Sequence, residues 1–144
     1  MKIYETAKII SEFKEPKEGD IGDFSFIACP IEIGEKVHIS THASFVGKGK
    51  LKIGNNVTIS PHVTIYTSHP EWRYGLNKYC GDHNPVIADV NLEPHCFIGA
   101  GAVIQAGITI GRGAIVGAQS FVNTDVEPYT VYIGCPATKI GERK

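Results

Sequence analysis

Neither a long apolar run nor an excess of one charge is present in this 144-residue sequence. Lysine and arginine total 14 against 15 aspartate and glutamate, giving a formal net charge of -1 at pH 7. No basic block alternates with aromatic residues, so nucleic acid is not expected as a partner. No apolar stretch is long enough to cross a bilayer, and residues 1–20 lack the continuous apolar core of a signal peptide. We therefore expect one globular domain, no membrane association and a cytoplasmic location.

Cysteine is scarce and is not spaced for metal or redox chemistry. The four cysteines are Cys29, Cys80, Cys96 and Cys135, and no two of them form a Cys-x-x-Cys pair or a metal-finger spacing. Cys96 is predicted to occupy the compact, inward-facing position of its six-residue repeat. We expect reduced thiols of the kind found in a reducing compartment.

What the sequence has instead is an aliphatic or aromatic residue at every sixth position. A helix would bring apolar residues back after about 3.6 residues and a simple strand after about two, so this period predicts short strands wound around a prism. The first series is Ile21, Ile27, Ile33, Ile39, Phe45 and Leu51, and the second is Val86, Leu92, Ile98, Ile104, Ile110, Val116 and Val122.

The residues between these positions support a triangular coil. Glycine or another turn-compatible residue often follows the apolar one, and a compact residue recurs four positions after it. Three hexads make one coil, and about fifteen hexads give about five coils. Stacked coils would pair their backbones at strand spacing, roughly 4.8 Å. The sequence therefore predicts an all-β fold, a parallel β-helix.

The repeat breaks twice. A small change of phase near Lys48–Lys52 predicts a longer corner. A large break spans residues 67–85, which hold the only tryptophan and two of the six tyrosines, Tyr74 and Tyr79. A long excursion from a regular solenoid is typically functional. We expect an irregular charged cap over residues 1–20, a β-helix over 21–127 and a second cap over 128–144, because solenoid ends need protection.

Several segments resemble the hexapeptide-repeat acyltransferases, and in particular their galactoside and maltose O-acetyltransferase branch and its polysaccharide-modifying relatives. Residues 60–70, Ser-Pro-His-Val-Thr-Ile-Tyr-Thr-Ser-His-Pro, resemble the coil of that branch that ends in Thr-x-His-Pro. Residues 97–104 and the Gly134-Cys135-Pro136-Ala137 segment resemble two further family stretches. The resemblance covers residues 21–140 and implies a left-handed β-helix.

The same resemblance implies an acyltransferase that uses acetyl-CoA and no metal. Its catalytic base corresponds to His69, whose imidazole would accept the proton of an attacking hydroxyl or amine. Glu71 and Asp82 are the nearest carboxylates that could orient that ring. The sequence shows no Ser/His/Asp order and no Cys/His pairing that would demand an acyl-enzyme, so direct transfer is expected.

Contacts with both substrates are also implied. The cofactor would contact Phe97, Ala100, Ala118 and Asn123, with Lys139 and Arg143 near its phosphates. Ser40 stands where the sugar enzymes carry an acceptor-binding asparagine. Aromatic faces suit sugar rings and arginine suits an anionic group, so Trp72, Arg73 and Tyr79 are our candidates for the acceptor, a small sugar-like molecule or nucleotide sugar. The family resemblance further implies a homotrimer with active sites between subunits.

Two other functions remain open at this stage. If Val86 resumes on the first face of the prism, His42, His62 and His95 form one column that could bind a divalent metal. The same fold includes γ-class carbonic anhydrase, so a metal lyase is an alternative, although no pair of histidines has that family's spacing. A solenoid that binds or scaffolds without catalysis is the third possibility.

Overall fold

Short parallel strands joined by tight corners make up the computed structural model, which describes residues 1–70 and 85–144. The strands form three faces of a left-handed parallel β-helix. Face A contains β1 (Lys2–Ile3), β3 (Gly19–Ile21), β6 (Val37–Ile39), β9 (Thr58–Ile59), β14 (Phe97–Ile98), β17 (Ile115–Val116), β19 (Thr130–Gly134) and β20 (Ala137–Glu142).

The other two faces are shorter. Face B contains β2 (Lys8–Ile9), β4 (Phe26–Ala28), β7 (Ser44–Val46), β10 (Thr64–Tyr66), β15 (Val103–Ile104) and β18 (Phe121–Val122). Face C contains β5 (Ile31–Ile33), β8 (Leu51–Ile53), β13 (Val90–Leu92) and β16 (Thr109–Ile110), followed by a bridge from Ile110 to Val126. A separate antiparallel pair joins β11 (Ser68–His69) to β12 (Val86–Ile87).

The apolar residues of the six-residue repeat fill the prism, as predicted. On face A, for example, Ile21, Ile39, Ile59 and Ile98 lie in register on successive strands and have no exposed surface. Among the described residues, Phe45 is the largest fully buried side chain. Val86 is the exception, because it pairs with His69 in the antiparallel ladder and does not point into the core. The chain rejoins the prism on face C, at Val90.

Corners between the faces place the exposed residues. We name these corners corner AB (residues 22–25, 40–43, 60–63, 99–102 and 117–120), corner BC (29–30, 47–50, 67–70, 85–89, 105–108 and 123–125) and corner CA (34–36, 54–57, 93–96, 111–114 and 127–129). Left-handed backbone at many corners is adopted by non-glycine residues such as His42 (φ 58) and His62 (φ 60). The glycine that follows an apolar residue serves another purpose: a Cβ on Gly99 would lie 2.5 Å from the Ala118 nitrogen of the next coil.

Both ends differ from the irregular caps expected from the sequence. In the first segment, β1 and β2 pair in parallel with β3 and β4, so residues 1–20 continue the solenoid. At the other end, β20 folds back antiparallel on β19. The structure therefore has about six coils, one more than predicted. Within the described residues, no helix is long and apolar enough to span a lipid bilayer.

Candidate functional site

The excursion leaves the prism at corner BC, and its first residue is held firmly. Thr67 has no exposed surface, its N–H donates to the Val46 carbonyl at 2.9 Å, and its carbonyl accepts from the Ala88 N–H at 3.0 Å. Ser68 accepts a hydrogen bond through Oγ from the Lys48 N–H at 3.1 Å. These bonds fix both ends of the excursion to the rigid coils.

Gly47 makes that close approach possible. Its φ is +133°, and a Cβ on it would lie 2.4 Å from Thr67 Oγ1 and 2.7 Å from the Ser68 nitrogen. Only glycine leaves room for the excursion to cross the preceding coil at this point. The longer corner predicted near Lys48–Lys52 from the phase change lies here, between β7 and β8.

His69 follows on β11, and two contacts orient its half-buried side chain. Its Nδ1 lies 2.8 Å from the Pro70 carbonyl oxygen. A carbonyl only accepts, so Nδ1 must carry the hydrogen and Nε2 keeps its lone pair. The Tyr66 ring lies nearly perpendicular to the imidazole, with a centroid distance of 6.1 Å and an interplanar angle of 87°. The geometry therefore leaves Nε2 as a proton acceptor.

The group that orients His69 in the structure is a backbone carbonyl, whereas the sequence suggested a carboxylate side chain. Glu71 and Asp82 lie outside the described residues, as do the acceptor candidates Trp72, Arg73 and Tyr79. The Pro70 carbonyl carries no side-chain signal, so residue types could not have pointed to it. Tyr66 could have been found from the repeat, because it immediately follows the inward-facing Ile65 and so points outward beside the excursion.

Three of the cofactor candidates lie on or near corner AB. Ala100 and Ala118 are stacked on successive coils, where the Gln119 N–H donates to the Ala100 carbonyl at 2.9 Å. Phe97 stands on the outer surface of face A and is 40% exposed. Asn123, in contrast, is exposed at corner BC, one residue after β18. A single chain does not bring all four residues into one groove.

The two cationic candidates make internal contacts at the C-terminal end. Lys139 Nζ contacts Glu127 Oε2 at 2.8 Å and Glu142 Oε1 at 3.0 Å, and these carboxylates raise the pKa of the ammonium. Arg143 Nη1 donates to the carbonyls of His95 at 2.8 Å and Gly113 at 3.0 Å. Both side chains therefore hold the terminal hairpin against corner CA.

Ser40, the acceptor candidate among the described residues, lies at corner AB. Its N–H donates to the Ile59 carbonyl at 2.9 Å and its carbonyl accepts from Ser25 Oγ at 3.0 Å. His69 projects from corner BC, on the opposite edge of face B. Within one chain these two residues are thus separated by the width of a face.

The predicted three-histidine column is wrong in one member. His42 and His62 do stack at corner AB, with ring centroids 4.7 Å apart, and Phe24 continues the stack at 5.0 Å from His42. His95 lies at corner CA, because the chain re-enters the prism on face C and not on face A. Among the described residues, no group of three or more His, Cys, Asp or Glu side chains could hold a metal ion.

A shallow groove of about 630 Å³ runs over face C and corner CA. Its charged lining is mixed, with Glu32, Lys52, Glu93 and Arg112. His69 is not part of that lining. This groove is therefore not where the candidate base lies, and His69 is the candidate because of its chemistry.

Comparison with known proteins fits this architecture. The family "Bacterial transferase hexapeptide (six repeats)" matches residues 89–124. An Escherichia coli dTDP-4-amino-4,6-dideoxy-D-glucose acyltransferase is 34% identical over 122 residues, which are 78% of this chain and 61% of that protein. The galactoside O-acetyltransferase of E. coli K12 is 32% identical over 113 residues, 78% of this chain and 54% of that protein. The chain thus spans roughly half to three fifths of these relatives.

Two solved structures share the whole fold. AntD, an N-acyltransferase from Bacillus cereus in complex with dTDP and 3-hydroxybutyryl-CoA, superposes with a TM-score of 0.81 at 26% identity, covering 99% of this chain and 79% of that one. The Vibrio cholerae acetyltransferase VCA0836, complexed with acetyl-CoA, also gives 0.81 at 26% identity, covering 94% and 72%. Fold and site define a left-handed β-helix with a histidine at the root of an excursion. The chain is similar to the hexapeptide-repeat acyltransferases, and residues 89–124 match the hexapeptide family itself.

Proposed function

We propose that this protein transfers an acetyl group from acetyl-CoA to a hydroxyl or amine of a sugar or nucleotide sugar, with His69 as the general base. The observation that carries this proposal is the free Nε2 of His69, which results from the Nδ1–H bond to the Pro70 carbonyl. The histidine stands on a two-residue strand anchored to rigid coils. The acyltransferase relatives and the CoA complexes of similar folds support the donor.

Direct transfer needs only one base. An acyl thioester is already activated, so Nε2 accepts the acceptor's proton while the acceptor oxygen or nitrogen attacks the carbonyl carbon. The carbon–sulfur bond then breaks, and the leaving CoA thiolate takes up a proton. In the protonated imidazole, Nδ1 still donates to the Pro70 carbonyl, which stabilises the positive charge next to it. This route forms no covalent acyl-enzyme.

The acceptor and the assembly are part of the same proposal. Named relatives act on an amino sugar nucleotide or on galactosides, which supports a sugar-like acceptor. Ser40, Ala100 and Ala118 lie at corner AB, away from His69 at corner BC. A homotrimer in which one chain's corner AB faces the neighbour's excursion would unite them. We also propose a cytoplasmic location, where acetyl-CoA is made available to the enzyme.

The metal lyase alternative receives less support from the geometry. It depended on three histidines in one column, and His95 lies at a different corner from His42 and His62. The two stacked rings face each other at an interplanar angle of 20°, which directs their nitrogen lone pairs sideways and not toward a shared ion.

The test measures CoA thiol release from acetyl-CoA against a panel of sugars, nucleotide amino sugars and small amines. We expect acceptor-dependent release with the unaltered protein and a fall in kcat of roughly 10²–10⁴-fold in His69→Ala, the usual contribution of a general base. His38→Ala is the matched control, because that histidine is exposed on the outer surface of face A, on β6, away from corners AB and BC, and should leave kcat unchanged. If no acceptor draws thiol release and calorimetry detects no acetyl-CoA binding, the proposal is wrong.

A further inference from the structure

We propose that Tyr66 is a positioning residue for His69, holding the imidazole in the orientation that presents Nε2 to the acceptor. This inference rests on the proposed function, and it gives a role to a residue for which the resemblance in the sequence implies none. The edge-on contact between the two rings carries it, at 6.1 Å between centroids and 87° between planes.

Tyr66 belongs to the rigid part of the molecule. It ends β10, where Thr64, Ile65 and Tyr66 pair with Ser44, Phe45 and Val46 of the previous coil. Its ring is half-buried, and this burial raises the pKa of the phenol, which keeps the side chain neutral. Stacked coils move little, so the ring offers a fixed surface.

His69 is less constrained by its own backbone. It lies on β11, a strand of two residues whose pairing partner is β12 at the far end of the excursion. The bond from Nδ1 to the Pro70 carbonyl holds one atom of the ring, but the ring can still tilt about the line from Cβ to Nδ1. The Tyr66 ring, nearly perpendicular to the imidazole, limits this tilt. Edge-to-face aromatic pairs are favoured by the complementary charges of ring face and ring edge.

A purely structural role for Tyr66 would predict something different. If the ring only covers the core, its loss would lower stability and leave the histidine unaffected. If the ring positions His69, its loss should reduce kcat strongly because a misplacement of about 1 Å at a catalytic group costs up to roughly a hundredfold. The hydroxyl is not needed for packing, so Tyr66→Phe should still position His69 and keep kcat near that of the unaltered enzyme.

The experiment compares Tyr66→Leu, Tyr66→Phe and the control Phe26→Leu. Phe26 is another half-buried aromatic residue on the outer surface of face B, on β4, two strands from β10. We expect Tyr66→Leu to lower kcat between about tenfold and a hundredfold with the KM for acetyl-CoA unchanged. Tyr66→Phe and Phe26→Leu should stay within about twofold of the unaltered enzyme.

An NMR measurement tests the same inference without turnover. Long-range ¹H–¹⁵N spectra distinguish the two imidazole tautomers, and His69→Ala identifies the His69 signals among the six histidines. At a pH of about 8.5, where free imidazole is neutral, we expect the Nδ1–H form in the unaltered protein and in Tyr66→Phe. In Tyr66→Leu the signals should shift to a mixture of tautomers.

The two proposals can fail separately. An unaltered protein without acceptor-dependent thiol release would contradict the proposed function, while the tautomer measurement would still decide on Tyr66. An active enzyme in which Tyr66→Leu keeps both kcat and the Nδ1–H form would overturn the positioning role. Equal losses of kcat in Tyr66→Leu and Phe26→Leu would have the same meaning, because packing alone would then explain them.

Discussion

Two cysteines in the core, Cys29 and Cys96, are shielded from water and from reaction of their thiols. Cys29 and Cys96 are each 2% exposed, and burial raises the pKa of each thiol to about 11. Cys96 Sγ also donates to the Glu93 carbonyl at 2.8 Å. The thiolate is the reactive form of cysteine, so a raised pKa makes both residues inert near neutral pH. Cys135 is exposed.

We predict that alkylation of the folded protein at pH 8 modifies Cys135 and leaves Cys29 and Cys96 unmodified. With a pKa of about 11, only about one buried thiol in a thousand is ionised at pH 8, and access is blocked too. Peptide mass mapping after iodoacetamide treatment reads each cysteine separately, and a sample unfolded in denaturant is the control. Alkylation of Cys29 or Cys96 at the rate of Cys135 would show that the core opens readily.

At the scale of the structural element, the corner between β7 and β8 determines where the excursion begins. We predict that Gly47→Ala destabilises the protein by about 1–3 kcal/mol, the cost of a strained backbone conformation at a residue with a side chain. Its Cβ would meet backbone and side-chain atoms of Thr67 and Ser68, so the base of β11 must also shift. Thermal unfolding measures the first effect and kcat the second.

Gly141→Ala is the matched control for this substitution. A Cβ on Gly141 would have no heavy atom within 4 Å, and the residue lies near the end of β20. Its melting temperature and kcat should remain near those of the unaltered protein. If Gly47→Ala behaves like Gly141→Ala, the close approach of Gly47 to Thr67 does not hold the excursion in place.

Elements whose pattern is regular could be predicted from the sequence, and those set by a connection could not. The inward positions of Ile21 to Leu51 and of Leu92 to Val122 follow from a side-chain period that survives in every coil. The period cannot say on which face the chain resumes after an excursion, so Val86 and His95 were misplaced. It also missed β1 and β2, because Lys2 and Lys8 point outward and leave only one apolar residue in each strand.

The candidate site was predictable only as far as side chains define it. His69 stands out in the sequence by its position before the excursion, and in the structure Thr67 and β12 anchor the strand that carries it. The hydrogen bond that selects its tautomer goes to the Pro70 carbonyl, and every residue has a backbone carbonyl. The repeat places Tyr66 on the outer surface beside the excursion, but its contact with His69 depends on how the backbone turns between residues 66 and 69, which no spacing rule contains.

At the scale of the whole molecule, the candidate residues are spread around the prism. Ala100 and Ala118 lie at corner AB and His69 projects from corner BC, so one chain leaves them apart. A rotationally symmetric assembly can bring one corner of each chain to the other corner of its neighbour, and closed rings of this kind are common. The proposed trimer has a mass of about 47 kDa, three times the 15.6 kDa of one chain.

We predict that two inactive variants restore activity when they share a trimer. His69→Ala lacks the base, and Ala118→Trp fills the space proposed for the cofactor. In trimers assembled randomly from equal amounts of both chains, about a quarter of the interfaces combine an intact His69 with an intact Ala118 of the neighbour, so about a quarter of the unaltered activity should return. Each variant expressed alone is the control, and native mass spectrometry verifies that mixed trimers form. Mixed trimers without activity would contradict a site shared between chains. Every chain in the mixture carries one of the two substitutions, so a site built within one chain would be inactive in every trimer.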